Sequence, residues 1–532
     1  MPWWLWVLIG LAAVVVVLTV YDLIQKRHAI LRNFPIVGHF RYLLEAVGPE
    51  LRQYIVTSNT EERPFNRDQR RWIYASSKRE NNYFGFGTSE DLEYAPNYIT
   101  IRHAAFPLTG PHRGDPAFDA AYRVPCAKVL GGPRNRRKAF RPGSVVNISG
   151  MSFGSLSGNA VMALNEGAKI AGCLQNTGEG GLSPYHQRGG DLILQLGTGY
   201  FSARNEQGGL DRDRLRALVD GNPVRAIELK LSQGAKPGHG GVLPAAKVSK
   251  EIAAIRGVSL GRDVVSPAAH PEFHDVESML DFVEQIADET GLPVGIKSAV
   301  GESEFWEELA DAMVASKGGV DFITIDGGEG GTGAAPLVFS DHVALPFKVG
   351  FSRVYSAFAR RGIAEDLVFI GSGKLGFPEN AIVAMALGCD LVNVGREAMM
   401  AIGCIQAQRC HTGACPTGVA TQNRWLMRGL DPRSKAVRCA NYITALRQDL
   451  LDVSFAAGYP HPAFLTPHDI DVLDDTLGAR TAAEVFGYAP GWGRPHQHEL
   501  AELMDEWWPG EPVPGPRKAE LARWPSNEAD SD

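Results

Sequence analysis

The sequence predicts an α/β protein: a parallel (β/α)8 barrel of the TIM type, preceded by an N-terminal transmembrane helix and flanked by irregular N- and C-terminal extensions. Three observations predict it. Eight short apolar runs recur between residues 144 and 399, each closing on Gly, Ser, Lys or Thr. Helical patterns separate these runs, as in repeated β/α units. Ahead of them, the stretch from Trp3 to Tyr21 carries no charged residue.

The N-terminal stretch is long enough to cross a hydrocarbon core of roughly 30 Å. Met1 and Pro2 supply no basic n-region, and the positive charge of Lys26, Arg27 and Arg32 follows the apolar run. Residues 1–25 therefore read as an uncleaved anchor, with a buried core helix as the alternative. By the positive-inside rule, the expectation is a single-pass protein of the cell inner membrane with residues 22 onward in the cytoplasm. Residues 26–141 are irregular and rich in Arg, Asn, Tyr and Phe. They read as a lead-in that wraps the barrel. The barrel itself is assigned to residues 142–425. Its strand runs are 144–155, 173–181, 192–199, 226–234, 293–301, 321–331, 367–376 and 391–399. A closed barrel is favoured over an open sheet because polar and glycine residues gather at the C-terminal end of each run, where barrel sites assemble. The long gap between the fourth and fifth runs is expected to lie over that site. Residues 426–490 read as helical, and the Pro-, Trp- and acid-rich residues 491–532 as a surface tail.

Composition narrows the function classes. A formal net charge of -7, with no basic run interleaved with aromatics, argues against nucleic acid as a partner. The seven cysteines make a poor disulfide framework, being odd in number in a long chain, and fit a reducing compartment. The 59 glycines gather in clusters, which points to backbone that closely approaches a ligand.

Three constellations carry chemistry. Glycines 327, 328, 330, 331 and 333 surround Thr332; Gly371, Ser372 and Gly373 follow, and then Gly395 with Arg396. Exposed backbone N–H groups, hydroxyls and one guanidinium after the late strands form a phosphate cradle, with plain turn glycines as the alternative. Lys230 and Lys297 stand close behind apolar runs, and Lys236 lies on the next loop. A flavin that accepts a hydride becomes anionic near its pyrimidine edge, where a fixed lysine raises its electron affinity. Lysines that merely reach for solvent are the alternative. The third constellation is Cys404-x5-Cys410-x4-Cys415, just past the eighth run. Three thiolates without an obvious fourth suit a three-iron cluster; zinc with His411, or inert buried cysteines, are the alternatives.

Several segments resemble the FMN-binding synthase domain of glutamate synthase. They are MSFGSLS at Met151 to Ser157, QNTGEGG at Gln175 to Gly181, KLSQGAKPG at Lys230 to Gly238, GGTGAAP at Gly330 to Pro336, and the cysteine stretch through Gln422. The likeness covers roughly residues 140–425, as an ordered series at matching strand ends. It implies FMN contacts from Met151, Ser152, Gln195, Lys230, Lys297, Gly331, Thr332, Gly333, Ser372, Gly373, Gly395 and Arg396. It implies a [3Fe-4S] cluster on Cys404, Cys410 and Cys415. Glu179, Lys236 and Arg256 match catalytic positions around bound 2-oxoglutarate, where cations pair with carboxylates.

The departures bear on the substrate. Val242 replaces a family glutamine that touches the keto acid, His239 replaces a glutamate, and Tyr200 replaces an arginine of the family's SGRFG run. A lost donor costs about 1–3 kcal/mol, enough to change substrate preference tenfold. A glutaminase domain needs an N-terminal nucleophilic cysteine, yet no cysteine precedes Cys126, and no GxGxxG follows a strand near a chain end. The resemblance with these departures implies an FMN and iron–sulfur oxidoreductase acting on CH–NH2 donors. It would carry out reductive amination of, or oxidation to, a 2-keto acid, with ammonium or an amine as nitrogen source. A ferredoxin-like or quinone-linked partner would exchange electrons with it. The alternatives are a membrane-linked FMN dehydrogenase of a 2-hydroxy acid or other small substrate, and a non-catalytic redox-sensing subunit.

Overall fold

A run of Trp, Leu, Val and Ala has no polar stripe to turn toward water, and its backbone donors are satisfied most simply by one continuous helix. In the computed structural model, which describes residues 2–25, 28–111, 119–316 and 318–507, Trp3–Ile24 is that helix, α1. It is 22 residues long and apolar enough to cross a membrane, and its apolar side chains are exposed rather than packed in a core. A short helix, Ala29–Asn33, and then α2, Val37–Leu51, follow it. The chain forms two compact units, Met1–Arg70 and Arg71–Asp532.

The second unit is built on the barrel. Strands buried on both faces are mostly apolar, as most of the eight runs are; the exception is the second, whose strand is Gln-Asn and whose polar groups are met inside the barrel. All eight become strands: β1 Val146–Ile148, β2 Gln175–Asn176, β3 Leu192–Leu196, β4 Val224–Lys230, β5 Val294–Ser298, β6 Phe322–Asp326, β7 Val368–Ser372 and β8 Leu391–Val394. They pair in parallel in this order, and β8 returns to β1 with Val392 beside Val146, which closes the barrel. Register then decides which chemistry meets. Lys230 lies opposite Lys297, and Ser372 opposite Asp326. The first helix after β1, α3 (Gly158–Ala171), starts where the Ser157 hydroxyl accepts the N–H of Ala160 at 3.1 Å.

Between β4 and β5 the expected loop has structure of its own. Val242–Leu243 pairs antiparallel with Val264–Val265, and α4, Lys250–Arg256, is capped by Ser249. α5 (Arg396–Ala401) follows β8, and α6 (Pro432–Ala456) packs along α3. Gly167 permits that approach, because a Cβ there would stand 2.7 Å from the Cys439 Cβ. The lead-in and the C-terminal segment meet in a separate sheet, in which Ile99–Ile101 pairs with Ile470–Leu473 and the latter with Ala479–Thr481. Within the segment expected as a surface tail, Gln497–Trp507 forms α7 and buries Leu500 and Leu503 against Ala127. Their spacing is that of a helix face. Residues 508–532 lie outside the described residues.

Candidate active site

The floor of the site is a buried polar hub inside the barrel. Glu228 on β4 is fully buried, and its two oxygens accept from three strands. Asn176 Nδ2 donates at 2.8 Å and Gln195 Nε2 at 2.6 Å to Oε1, and Thr324 Oγ1 donates at 2.7 Å to Oε2. A buried carboxylate needs such donors, and they fix the Gln195 amide in one orientation.

Above the hub stand two ion pairs. Lys297 Nζ lies 3.4 Å from Asp326 Oδ2, and the same carboxylate oxygen accepts the N–H of Gly234 at 3.0 Å. Burial pulls the Lys297 ammonium down, but Asp326 and Glu228 outweigh it and hold the pKa above the ordinary lysine value. Only glycine fits at 234, since a Cβ would fall 1.8 Å from the Gly327 carbonyl oxygen. Lys230 Nζ, in turn, lies 2.9 Å from Glu179 Oε1 and donates to Gln233 Oε1 at 2.5 Å.

Glu179, Lys236 and Arg256 are brought together as the sequence implied. Burial pushes the Glu179 carboxyl up, but Lys230, Lys236 and Arg256 together hold it below the ordinary value. Lys236 is buried and reaches the Ala334 carbonyl only at 3.5 Å; burial lowers its pKa against the opposing pull of Glu179. Arg256 is also buried. Its Nη2 donates to the Phe153 carbonyl at 3.1 Å, its guanidinium lies 5.0 Å from the Phe201 ring centroid, and its Nε has no partner among the described residues. Burial pushes its pKa down to about 10. Gly180 leaves the room, because a Cβ there would come 2.7 Å from Arg256 Nη2. Three cations facing one carboxylate leave positive charge to spare, which suits an anionic ligand.

The glycine clusters occupy the loops after β6, β7 and β8. Gly331 lies against Arg396, where a Cβ would stand 2.5 Å from Cδ, and Gly373 adopts φ +117°, a conformation that favours glycine. Gly373 lies against Gly327 and Gly395 against Ser149, so the three glycine clusters stand on neighbouring loops at the C-terminal end of the barrel. The Arg396 guanidinium is tied to the Glu329 carbonyl. This donor set fits a phosphate. On the opposite wall Ser152, after β1, accepts the N–H of Gly180 at 3.0 Å and holds the Met151–Ser152 turn against the Glu179 loop. Those residues with Gln195, Lys230 and Lys297 leave a basic, barrel-mouth setting that fits a flavin ring.

Cys404, Cys410 and Cys415 lie on the loop that follows α5. Burial pushes the Cys404 thiol up to about 12 and raises that of Cys410. Burial acts the same way on Cys415, yet backbone N–H groups of Ala420, Thr417 and Val419 and the Thr417 hydroxyl bring it below the ordinary thiol value. Hydrogen bonds to sulfur suit a thiolate ligand. Among the described residues no three His, Cys, Asp or Glu side chains close on one point for a single metal ion, and His411 is exposed. Lys247 Nζ donates to the Cys410 carbonyl at 2.6 Å, and Gln422 Nε2 to the Leu156 carbonyl at 2.8 Å. These two side chains tie the cysteine loop to the β4–β5 segment and to the turn after β1.

The three departures fall differently. Val242 sits in the short ladder beside Gly241, whose Cβ would stand 2.7 Å from Glu179 Oε1. His239 Nδ1 contacts the Gly240 carbonyl at 2.9 Å and its ring packs edge-on to Phe339. Tyr200 is fully buried, and its hydroxyl is engaged by His270 Nδ1 at 2.7 Å, while His270 Nε2 meets the Lys230 carbonyl at 2.9 Å. Sequence reasoning missed Glu228, Asp326 and His270. The one signal for the first two was a carboxylate inside an apolar run, in IELK and ITID.

Comparison with known proteins agrees with this geometry. The conserved region in glutamate synthase matches residues 131–460. The glutamate synthase large subunit-like protein YerD of Bacillus subtilis (strain 168) is 38% identical over 488 residues, covering 86% of this chain and 92% of that one. A glutamate synthase large subunit-like protein of Rhizobium meliloti (strain 1021) is 30% identical over 424 residues, 75% of this chain and 92% of its own. The archaeal glutamate synthase (NADPH) of Methanocaldococcus jannaschii is 36% identical over 319 residues, and the chain spans 59% of its length. Among solved structures, a flavocytochrome b2 with sulfite bound aligns over 93% of this chain and 96% of that one at 14% identity and a TM-score of 0.43, too distant a likeness to inform the chemistry. With more than half of its length inside the family's conserved region and a relative aligned with it nearly end to end, the chain belongs to the glutamate synthase family.

Proposed function

We propose that the chain is an FMN and iron–sulfur oxidoreductase of glutamate synthase type, which aminates a 2-keto acid reductively, or oxidises the amino acid back to it, using ammonium or an amine. The observation that carries this is the buried Lys236 and Arg256 pair beside Glu179, with the Arg256 Nε left without a partner. A substrate carboxylate would satisfy that donor, and the spare positive charge would hold it. When bound, FMN supplies hydride exchange at the substrate carbon, and a three-iron cluster on Cys404, Cys410 and Cys415 supplies one-electron transfer with a ferredoxin-like or quinone-linked partner.

This chain's residues do the rest. Ser372, Gly373, Gly395, Arg396 and the turn of Gly331, Thr332 and Gly333 would hold the phosphate. Met151, Ser152, Gln195, Lys230 and Lys297 would frame the ring, with Lys297 kept protonated at its pyrimidine edge. Glu179, kept ionised by its cations, would orient the imino nitrogen by accepting its N–H and, in the oxidative direction, would take up the proton of the amino group. Helix α1 would anchor the protein in the inner membrane with the barrel on the cytoplasmic side. A second reading, FMN-dependent oxidation of a 2-hydroxy acid, is favoured by Val242, an apolar residue where the family has a glutamine. The same carboxylate clamp serves it. A purely redox-sensing subunit would have no use for that clamp.

Anaerobic purification with flavin extraction and EPR, then reoxidation of the reduced protein by keto acids plus ammonium, tests the proposal. FMN, a three-iron EPR signal and reoxidation that requires ammonium are expected. Stoichiometric zinc without iron would remove the cluster. Flavin reduction by hydroxy acids alone would decide for the second reading.

A further inference from the structure

We propose that α2 lies in the membrane surface beside α1, so that the chain meets lipid through an in-plane helix as well as through a span; this rests on reading α1 as that span. Helix α2 has two faces, and the wrong one for a water-soluble protein is packed. Its small and polar side makes its contacts to the preceding segment. Gly38 abuts Leu31, where a Cβ would stand 3.0 Å from Cδ2, Tyr42 meets the His28 ring edge-on at 5.2 Å, and His39 Nε2 lies 3.0 Å from Asp22 Oδ2. The apolar side is turned outward. Val37, Phe40, Leu43, Leu44, Val47 and Leu51 are all exposed, Val37 by 73% and Phe40 by 62%.

At the helical period these six side chains occupy an arc roughly 120° wide, an unbroken apolar stripe. Water penalises such a stripe in proportion to the apolar surface left uncovered. An amphipathic helix of this kind buries its apolar face in the headgroup boundary of a bilayer. Its position points to lipid as the occupant. Asp22 ends the span, is fully buried, and accepts the backbone N–H of Ile36 at 2.9 Å, so α2 is tethered at the level where α1 leaves the membrane. The apolar surface is thus continuous with that of α1 through the exposed Phe34 and Ile36. Arg41 and Glu45 pair at 2.7 Å off the stripe, where the helix would face water.

The test is photo-crosslinking of the full chain in proteoliposomes. A diazirine amino acid replaces Leu11, Leu44, Glu45 or Val47 in separate variants, and adducts are identified by mass. Lipid adducts are expected from positions 11, 44 and 47, and none from 45. Adducts of 44 and 47 with a second copy, or with residues beyond Arg71, would overturn the proposal, as would no lipid adduct there while position 11 yields one. Failure at position 11 would overturn the reading of α1 as a span, and the proposal with it, an outcome distinct from failure at positions 44 and 47 while position 11 yields lipid.

Discussion

Under the proposed function, Arg256 and Val242 would divide the recognition of a substrate between them. Arg256 is buried, carries an unsatisfied Nε, and has a guanidinium pulled down to about 10 by burial. In the proposed function it is the carboxylate anchor that any acid would use. Replacing it with alanine is expected to lower kcat/KM on every acid by about 30-fold to 1,000-fold, the cost of about 2–4 kcal/mol for losing a buried charge-assisted bond. Val242 offers a neutral side chain next along the ladder from Gly241, the residue that abuts Glu179. Val242→Gln is therefore expected to raise the efficiency on 2-oxoglutarate relative to glyoxylate and pyruvate by about tenfold. Steady-state kinetics across the three acids separates the two effects, and unchanged activity of Arg256→Ala on the best substrate would refute the clamp. Lysines 230 and 297 were legible because a lysine at the end of an apolar run is an uncomfortable core residue. Glu228 was not. In IELK a carboxylate alternates with apolar residues and reads as a solvent-facing position, and only the pairing of β3 with β4 turns it toward Gln195.

Among the elements, α7 makes the clearest claim about stability. It sets Glu499 near Lys128, Asp390 and Glu365, and burial pushes that carboxyl up to about 7, with Asp390 and Glu365 adding to the shift against Lys128. A carboxyl whose folded pKa is raised contributes stability that is full below the unfolded glutamate value and is lost as pH rises through about 7. Glu499→Gln mimics the protonated group. Its stability relative to the parent should therefore increase between pH 5 and pH 8, by up to about 3 kcal/mol. Denaturant unfolding of both proteins at the two pH values checks this, and a constant difference would show that Glu499 does not titrate in the fold. The helix was hidden in the sequence because Pro and Trp around it suggest irregular chain. Its three-residue spacing of Leu500 and Leu503 gains meaning only with Ala127 to pack against.

The whole molecule comprises two units, and the barrel has its own closed core. Deleting residues 1–25 should therefore leave a folded yellow protein that alkaline carbonate releases from membranes, since an in-plane helix alone binds reversibly. Retention after carbonate without aggregation would refute the anchor. At this scale the sequence by itself determined much. Eight apolar runs became eight strands because burial on both faces leaves a parallel strand little compositional freedom. The uncharged stretch became α1 because only a helix satisfies so apolar a backbone. The cation pair of Lys236 and Arg256 was visible through likeness to the family. Tertiary structure decided what depends on contacts between distant segments. Ile99–Ile101 found Ile470–Leu473 across the chain, Tyr200 spent its hydroxyl on His270, and Asp326 joined Lys297 to Gly234. Local pattern carries the period of an element and the polarity of its faces. Partners tens to hundreds of residues apart leave no periodic trace in either chain segment, so those pairings exist only once the fold brings the segments together.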